Sequence, residues 1–453
     1  TVNSKEFRID FSDEGMKLLK KRGFGKKTSY TNGKDDKGWY LKAEANDSAT
    51  GLGMEINKEL LNEMPFLNIT FKIEKDFTNI DQKTKDGHDW AARVMVGHGK
   101  KIGAKFALMV NSGSSANLLA TFAAGNPLRK NRFKPGDEAL IPSVCWPTSL
   151  WPLIQAGLKP KFIDVEKETL NADPEKIISS ISKKTKVILL IHVLGNSTDI
   201  EKIIKIAKRK KIIVIEDTCE SLGSKFGKKN LGTFGDFGTY SFYFSHQITS
   251  GEGGMIVCNN RDDYNILYSM RAHGWSRGVK NQKKIEKKFK HLDPRFIFIN
   301  SGFNLRPTDI TAAIGHSQFK KLDRFKKIRD FNRNKIIQAL KRSNKWKNQF
   351  SFLKINKKVQ PSFFGFPIIL NKRYFGRKNN LLKMLAKKGV ETRPIISGNF
   401  LRQPVAKLYE LDKNKSKFKN ADEIQNLGFF IGLHTRKITN KSLNRLVNAL
   451  LSI

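Results

Sequence analysis

At 453 residues, 39% of them hydrophobic, the chain has a globular composition with enough apolar side chains to bury large cores in two or three lobes. Its formal charge of +42 comes from basic residues that recur along most of the sequence, so a lysine-biased surface explains the excess without a nucleic-acid partner. No apolar run reaches the ~18 residues of a spanning helix, which excludes membrane insertion. The three cysteines show no CxxC spacing and the N-terminus lacks the apolar core of a signal peptide, which predicts a cytoplasmic, reducing location.

In chain order, residues 1 to 95 carry little legible chemistry: 33–38 is polar and turn-like, and 43–53 is rich in small residues. His98, in Met95-Val-Gly-His-Gly-Lys100, has no partner histidine or cysteine nearby and reads as a loop residue, with no metal expected. From about residue 96, strand-like runs at 106–110, 139–142, 161–165, 186–193 and 212–215 alternate with helical patterns. That alternation predicts an α/β fold whose mostly parallel sheet is covered on both faces. Ile203, Ile204 and Ile206 followed by Lys208 to Lys211 read as a helix with a basic C-terminal end. Further strands at 238–244 and 254–259 bracket a glycine-rich turn, and 309–334 reads as helical and basic, a bridge to a C-terminal lobe. There, a strand at 363–370 and amphipathic helices near 380–388 and 442–451 complete the pattern. The expected division is an N-terminal segment 1–95, a large domain 96–318 and a small domain 319–453.

Two motifs fall where strands end, the place where ligands gather in such sheets. Asn111-Ser-Gly-Ser-Ser-Ala-Asn117 opens a helix directly after a strand; amides, hydroxyls and the positive helix end make either a phosphate cradle or a serine-rich cap. Ile215-Glu-Asp217-Thr-Cys-Glu220-Ser ends an apolar strand, where a carboxylate either keeps a pyridine nitrogen protonated or caps a helix.

Together with Pro142-Ser-Val-Cys-Trp146, Ser241-Phe-Tyr-Phe-Ser-His246-Gln-Ile-Thr-Ser-Gly-Glu-Gly-Gly254 and Gly302-Phe-Asn304-Leu-Arg306-Pro-Thr, these motifs resemble the DegT/DnrJ/EryC1/StrS family of sugar aminotransferases from about residue 100 onward. The resemblance implies the type I PLP-dependent aminotransferase fold, a mostly parallel mixed sheet with a smaller C-terminal α+β domain. It also implies a homodimer with shared active sites and pyridoxal 5'-phosphate (PLP) or pyridoxamine 5'-phosphate (PMP) as cofactor. By the same resemblance Ser114, Ser115 and Ser241 lie at the cofactor phosphate, and Asn304 reaches the phosphate of the neighbouring subunit. Trp146 stacks on the pyridine face, Asp217 pairs with the ring nitrogen, and Glu220 lies near the ring hydroxyl. Arg393, Gly398 and Asn399 belong to a segment that resembles the sugar-proximal loop.

His246 stands where the aminotransferases of the family carry lysine. Members with histidine there resemble 3-dehydratases acting on nucleotide-linked 4-keto-6-deoxy sugars, and imidazole can move protons near neutral pH but cannot anchor an aldehyde cofactor. The cofactor is therefore expected to be noncovalent. Three scattered cysteines fall short of the four thiolates an iron–sulfur cluster usually requires, which favours the iron-free, GDP-sugar type that draws its amine from glutamate. A sugar aminotransferase and an inactive sugar-binding homologue are the competing functions.

Overall fold

The computed structural model describes residues 101–411 and 418–452, together with four strands within the first 53 residues. Residues 1–81 and 82–453 form two compact units. In the first, β1 (Lys20–Gly23) pairs antiparallel with β4 (Thr50–Gly53), and β2 (Ser29–Asp35) with β3 (Gly38–Glu44). Most of the stretch read as a turn at 33–38 is therefore paired strand, because Gly33 lies opposite Tyr40 and Lys34 opposite Trp39, aromatic residues that favour strands. The small-residue stretch 43–53 ends in β4, and the His98 segment lies outside the described residues.

The second unit is built on a seven-stranded sheet. In chain order its strands are β5 (Phe106–Val110), β6 (Glu138–Pro142), β7 (Lys159–Ile163), β8 (Thr185–Ile191), β9 (Ile213–Asp217), β10 (Phe237–Ser241) and β11 (Gly254–Cys258). Across the sheet they run β5-β11-β10-β9-β8-β6-β7, all parallel except β11, which is antiparallel to both neighbours. Continuous apolar runs suit strands covered on two faces: six of the seven residues of Thr-Lys-Val-Ile-Leu-Leu-Ile in β8 are buried. Flanking helices include α1 (Gly113–Ala124), α2 (Pro147–Gln155), α3 (Pro174–Ser180), α4 (Ile200–Lys210) and α5 (Arg261–Arg271). In α4, Ile200, Ile203 and Ala207 face the core while Lys208, Arg209 and Lys210 complement the negative helix end.

The basic stretch 309–334 is helical, as expected, and is made of two helices, α6 (Asp309–Phe319) and α7 (Leu322–Arg342). The chain tightens where the Lys321 amide bonds the Gln318 carbonyl at 2.8 Å, so that Phe319 and Leu322, on either side of the break, both turn into one apolar cluster. Periodicity does not register such a step. Beyond it lies a four-stranded antiparallel sheet in the order β12 (Phe350–Phe352), β13 (Gly365–Leu370), β15 (Gly428–Gly432) and β14 (Thr392–Arg393). It packs with α8 (Lys378–Lys387), α9 (Lys419–Leu427) and α10 (Asn440–Leu450). Of these strands the sequence pattern showed only β13, since β15 is bounded by its own glycines and β12 is three residues long. No helix among the described residues is long and apolar enough to cross a membrane.

Candidate active site

The carboxyl ends of the parallel strands bring the motifs together. After β5 the chain turns into α1, where extended Ser112 caps the helix by accepting a 3.0 Å hydrogen bond from the Ser115 amide. Ser112 also donates to the Ser115 hydroxyl at 3.0 Å, and Ser114 shares a 2.9 Å hydrogen bond with Thr148 on α2. A side chain at Gly113 would meet Ser241 at once: its Cβ would lie 2.5 Å from Ser241 Cβ and 2.8 Å from Ser241 Oγ. Glycine here lets the end of β10 reach the N-terminus of α1, so Ser114, Ser115 and Ser241 converge at a helix end suited to an anion.

Asp217 ends β9 and is 5% exposed. Its Oδ2 accepts from Asn117 Nδ2 and Ser149 Oγ, each at 2.7 Å, and its Oδ1 accepts from the Cys219 amide at 3.1 Å. Thr239 in turn donates to Asn117 Oδ1 at 2.6 Å. Asn117, Ser149 and Thr239 are site residues that sequence reasoning missed, although a lone asparagine in the apolar face of α1 was a signal. Glu216, one residue earlier, points the other way, as alternation along a strand requires. It accepts three amide bonds of 2.7 Å, from Gly232, Phe234 and Gly235, and meets His192 at 3.1 Å, which makes it a structural anchor.

Glu220 accepts from the Leu194 amide at 3.1 Å. Burial pushes its carboxyl up to about 7, the Leu194 bond opposes that rise, and the charge of Asp217 adds to it. Cys145 and Cys219 beside it have thiols pushed up by burial and by Asp217, which keeps them neutral.

His246 is half-buried in the turn after β10, where its ring meets the edges of Phe364 at 5.1 Å and Tyr243 at 5.9 Å. Burial lowers its pKa to about 4; the Asp217 carboxylate opposes this and the Arg329 guanidinium deepens it. The imidazole is thus neutral at physiological pH, and its buried Nδ1 has no hydrogen-bond partner among the described residues. Gln247 fastens the turn by donating to the carbonyls of Glu220 and Ser362. No lysine lies between Ser241 and Gly254.

Trp146 ends the segment after β6 and is 53% exposed, a flat face open at the site rather than a core residue. Asn304 is exposed and accepts from Arg306 at 3.1 Å, while the neighbouring Leu305 carbonyl takes the Asn111 amide at 3.0 Å. Arg393, paired with Glu391 at 3.0 Å, lines a cavity of about 820 Å³ that is also lined by Ser245, of the His246 turn, and by Arg329 and Phe364.

Gly398 adopts a left-handed φ of +70° with Gln425 against it, a conformation that favours glycine. Asn399 is fully buried; its amide donates to Asp422 at 2.8 Å and its oxygen caps the Leu401 amide at 3.1 Å. Its side chain is therefore engaged inside the fold, and the sequence alone gave no sign of this. What the segment offers the site is support: Ser397 donates to the Cys145 carbonyl at 2.5 Å and the Phe400 amide to Ser143 at 2.9 Å, holding the approach to Trp146.

Comparison with known proteins follows this geometry. Residues 18–111 match a family of unknown function (DUF3047), and residues 98–451 match the DegT/DnrJ/EryC1/StrS aminotransferase family. The chain is 38% identical over 346 residues to GDP-4-keto-6-deoxy-D-mannose 3-dehydratase of Yersinia pseudotuberculosis, covering 76% of this chain and 86% of that one. It is 34% identical to the lipopolysaccharide biosynthesis protein RfbH of Salmonella typhimurium, covering 74% and 78% of the two chains. Among solved structures, Escherichia coli GDP-4-keto-6-deoxy-D-mannose-3-dehydratase with bound hydrated PLP superposes with a TM-score of 0.70 at 35% identity, covering 80% of this chain and 91% of that one. A second structure of a GDP-4-keto-6-deoxymannose-3-dehydratase, with a trapped PLP-glutamate geminal diamine, superposes with a TM-score of 0.70, covering 80% and 92%. The type I aminotransferase fold, the order of the strand-end motifs and the extent of the match agree: this chain belongs to the DegT/DnrJ/EryC1/StrS aminotransferase family.

Proposed function

We propose that the protein is a PLP/PMP-dependent nucleotide-sugar 3-dehydratase that removes the C3 hydroxyl of a GDP-linked 4-keto-6-deoxyhexose, in the supply of a deoxysugar for lipopolysaccharide. The observation that carries this reading is an imidazole at residue 246, in a turn without lysine, set between the ring edges of Phe364 and Tyr243 and kept neutral by burial. The 3-dehydratases to which the chain is similar at 35–38% identity support the same substrate class.

The residues present fit the cofactor: a helix end with serine hydroxyls for a phosphate, a carboxylate for a pyridinium nitrogen, an open indole face, and an orphaned buried nitrogen beside them. Ser114, Ser115 and Ser241 would hold the phosphate, Trp146 the ring face, Asp217 the ring nitrogen and Glu220 the ring hydroxyl. When bound, the cofactor supplies a protonated ring that stores an electron pair. Asn117, Ser149 and the Cys219 amide fix Asp217 in place and keep its charge available. Glu220, poised near neutrality, can donate or accept at a phenolic oxygen. The His246 imidazole, held neutral by burial, can take up a proton, and because burial disfavours its charged form, the resulting imidazolium is an acid suited to protonating the oxygen that leaves C3. One side chain thereby serves both transfers.

Arg393 contacts the sugar side of the site, with Gly398 and Asn399 supporting that loop from within. The chain works as a cytoplasmic homodimer, Asn304 completing the phosphate site of the other subunit, with lobes at 96–318 and 319–453 and glutamate as amino donor. The open Trp146 and the exposed Tyr243 and Phe244 at the site favour coverage by a second copy. The test is incubation of PMP-loaded protein with glutamate and a GDP-4-keto-6-deoxyhexose. The expected result is ammonia and a sugar lighter by one oxygen; an amino sugar instead would identify an aminotransferase, and no product an inactive homologue.

A further inference from the structure

Arg329, on α7, is 7% exposed and sits directly behind the histidine turn. Its Nε donates to the Leu433 carbonyl at 3.0 Å, Nη1 to the Gln247 carbonyl at 3.3 Å and Nη2 to the His246 carbonyl at 3.3 Å. Among the described residues these carbonyls are its hydrogen-bond partners and no carboxylate forms an ion pair with it; burial alone lowers its pKa to about 10. A buried guanidinium without a counter-charge is costly, so its three-way grip has to be worth that cost. One turn further along α7, Asn332 donates to the carbonyls of His434 and Arg436 at 3.0 and 2.8 Å and accepts from the Ile438 amide at 2.9 Å. The helix thus ties the histidine turn to the segment after β15.

We propose that Arg329 is a positioning residue for His246, its planar fork locking the main chain of the turn so that the imidazole is held between Phe364 and Tyr243 and its approach to the reacting atoms is fixed. The inference rests on the assignment of His246 as the proton carrier. Two charged groups act on the imidazole: Asp217, from the end of β9, and Arg329, from α7. Tyr243 from the same turn and Phe364 from the segment before β13 supply ring edges. Arg329 therefore does two separable things. Its fork sets geometry, and its charge opposes a second positive charge on the ring.

Two variants separate them, read first by NMR titration of His246 in cofactor-free protein, with His246→Asn identifying the resonance. Arg329→Met removes fork and charge. The titration moves up only slightly from about 4, because burial, the larger cause, remains, and kcat falls about a hundredfold, with KM and cofactor affinity little changed. Arg329→Lys keeps the charge but offers a compact donor that cannot span three carbonyls. The titration stays low while kcat still falls. Wild-type kcat in Arg329→Lys, or cofactor affinity lost in step with kcat in both variants, overturns the proposal. Should Arg329→Met fail to fold, Arg329→Lys decides alone by its kcat at unchanged titration. Full turnover in His246→Asn would instead remove the functional reading, a result distinct from any of these because the titration needs no substrate.

Discussion

Two side chains at the site are held in the protonation state that the unfolded chain would not choose. Between about pH 4.5 and 6.5 the folded protein keeps His246 neutral and Glu220 protonated, whereas the unfolded chain protonates the histidine and ionises the glutamate. Where the unfolded state binds the extra proton, at His246, stability rises with pH; where the folded state binds it, at Glu220, stability falls. The opposed slopes largely offset one another across this window. His246→Asn therefore exposes a stability that falls as pH rises from 4.5 to 6.5, and Glu220→Gln one that rises, read as denaturation midpoints against pH. Identical profiles in both variants and the parent chain would contradict the assignment. A third substitution, His246→Lys, restores the amine of the aminotransferases, and the expected outcome is covalent cofactor attachment, detected by mass after borohydride reduction. Persistent noncovalent binding would place residue 246 away from the cofactor. The identity of His246 was legible because the turn around it is glycine-punctuated and contiguous. Its environment was not, since Arg329 and Phe364 approach from far along the chain.

At the scale of elements, the sheet was read well where one strand is one apolar run, as in β5 and β8, and its carboxyl edge drew attention to Ser114, Asp217 and His246. Order across the sheet could not be read, because β11 inserts antiparallel between β5 and β10 through main-chain pairing that leaves no periodic trace. The contact between α1 and β10 was likewise hidden, although it brings Ser241 against the N-terminus of α1. Gly113→Ala forces Ser241 away from the helix end, and the expected loss of cofactor affinity is tenfold or more, about 1.4 kcal/mol, with the global fold retained. Fluorescence titration with PMP checks this; unchanged affinity would show that the cradle lies elsewhere. Asn399 carries the opposite lesson. Family resemblance put it in the sugar-proximal loop; its amide is satisfied by Asp422, and only packing could reveal that.

For the whole molecule, the charge of +42 acts on encounter rather than on chemistry. Capture of an anionic nucleotide sugar is expected to weaken as salt is raised, so that kcat/KM falls while kcat holds. A salt-independent kcat/KM would confine the positive charge to a role in solubility. The proposed sharing of sites makes a sharper prediction: mixing His246→Asn and Asn304→Ala subunits should regenerate one complete site per mixed dimer, restoring activity that neither variant has alone. Additive behaviour without recovery would mean that each chain is self-sufficient. These expectations rest on one assignment, that imidazole in place of amine turns the family's chemistry from transferring nitrogen to removing oxygen. The mass of the GDP-linked product formed by PMP-loaded protein tests it most directly. A 3,6-dideoxy-4-keto sugar, formed by the parent chain and not by His246→Asn, is the outcome required. A 4-amino sugar from the parent chain, or the deoxygenated product undiminished in His246→Asn, would contradict it.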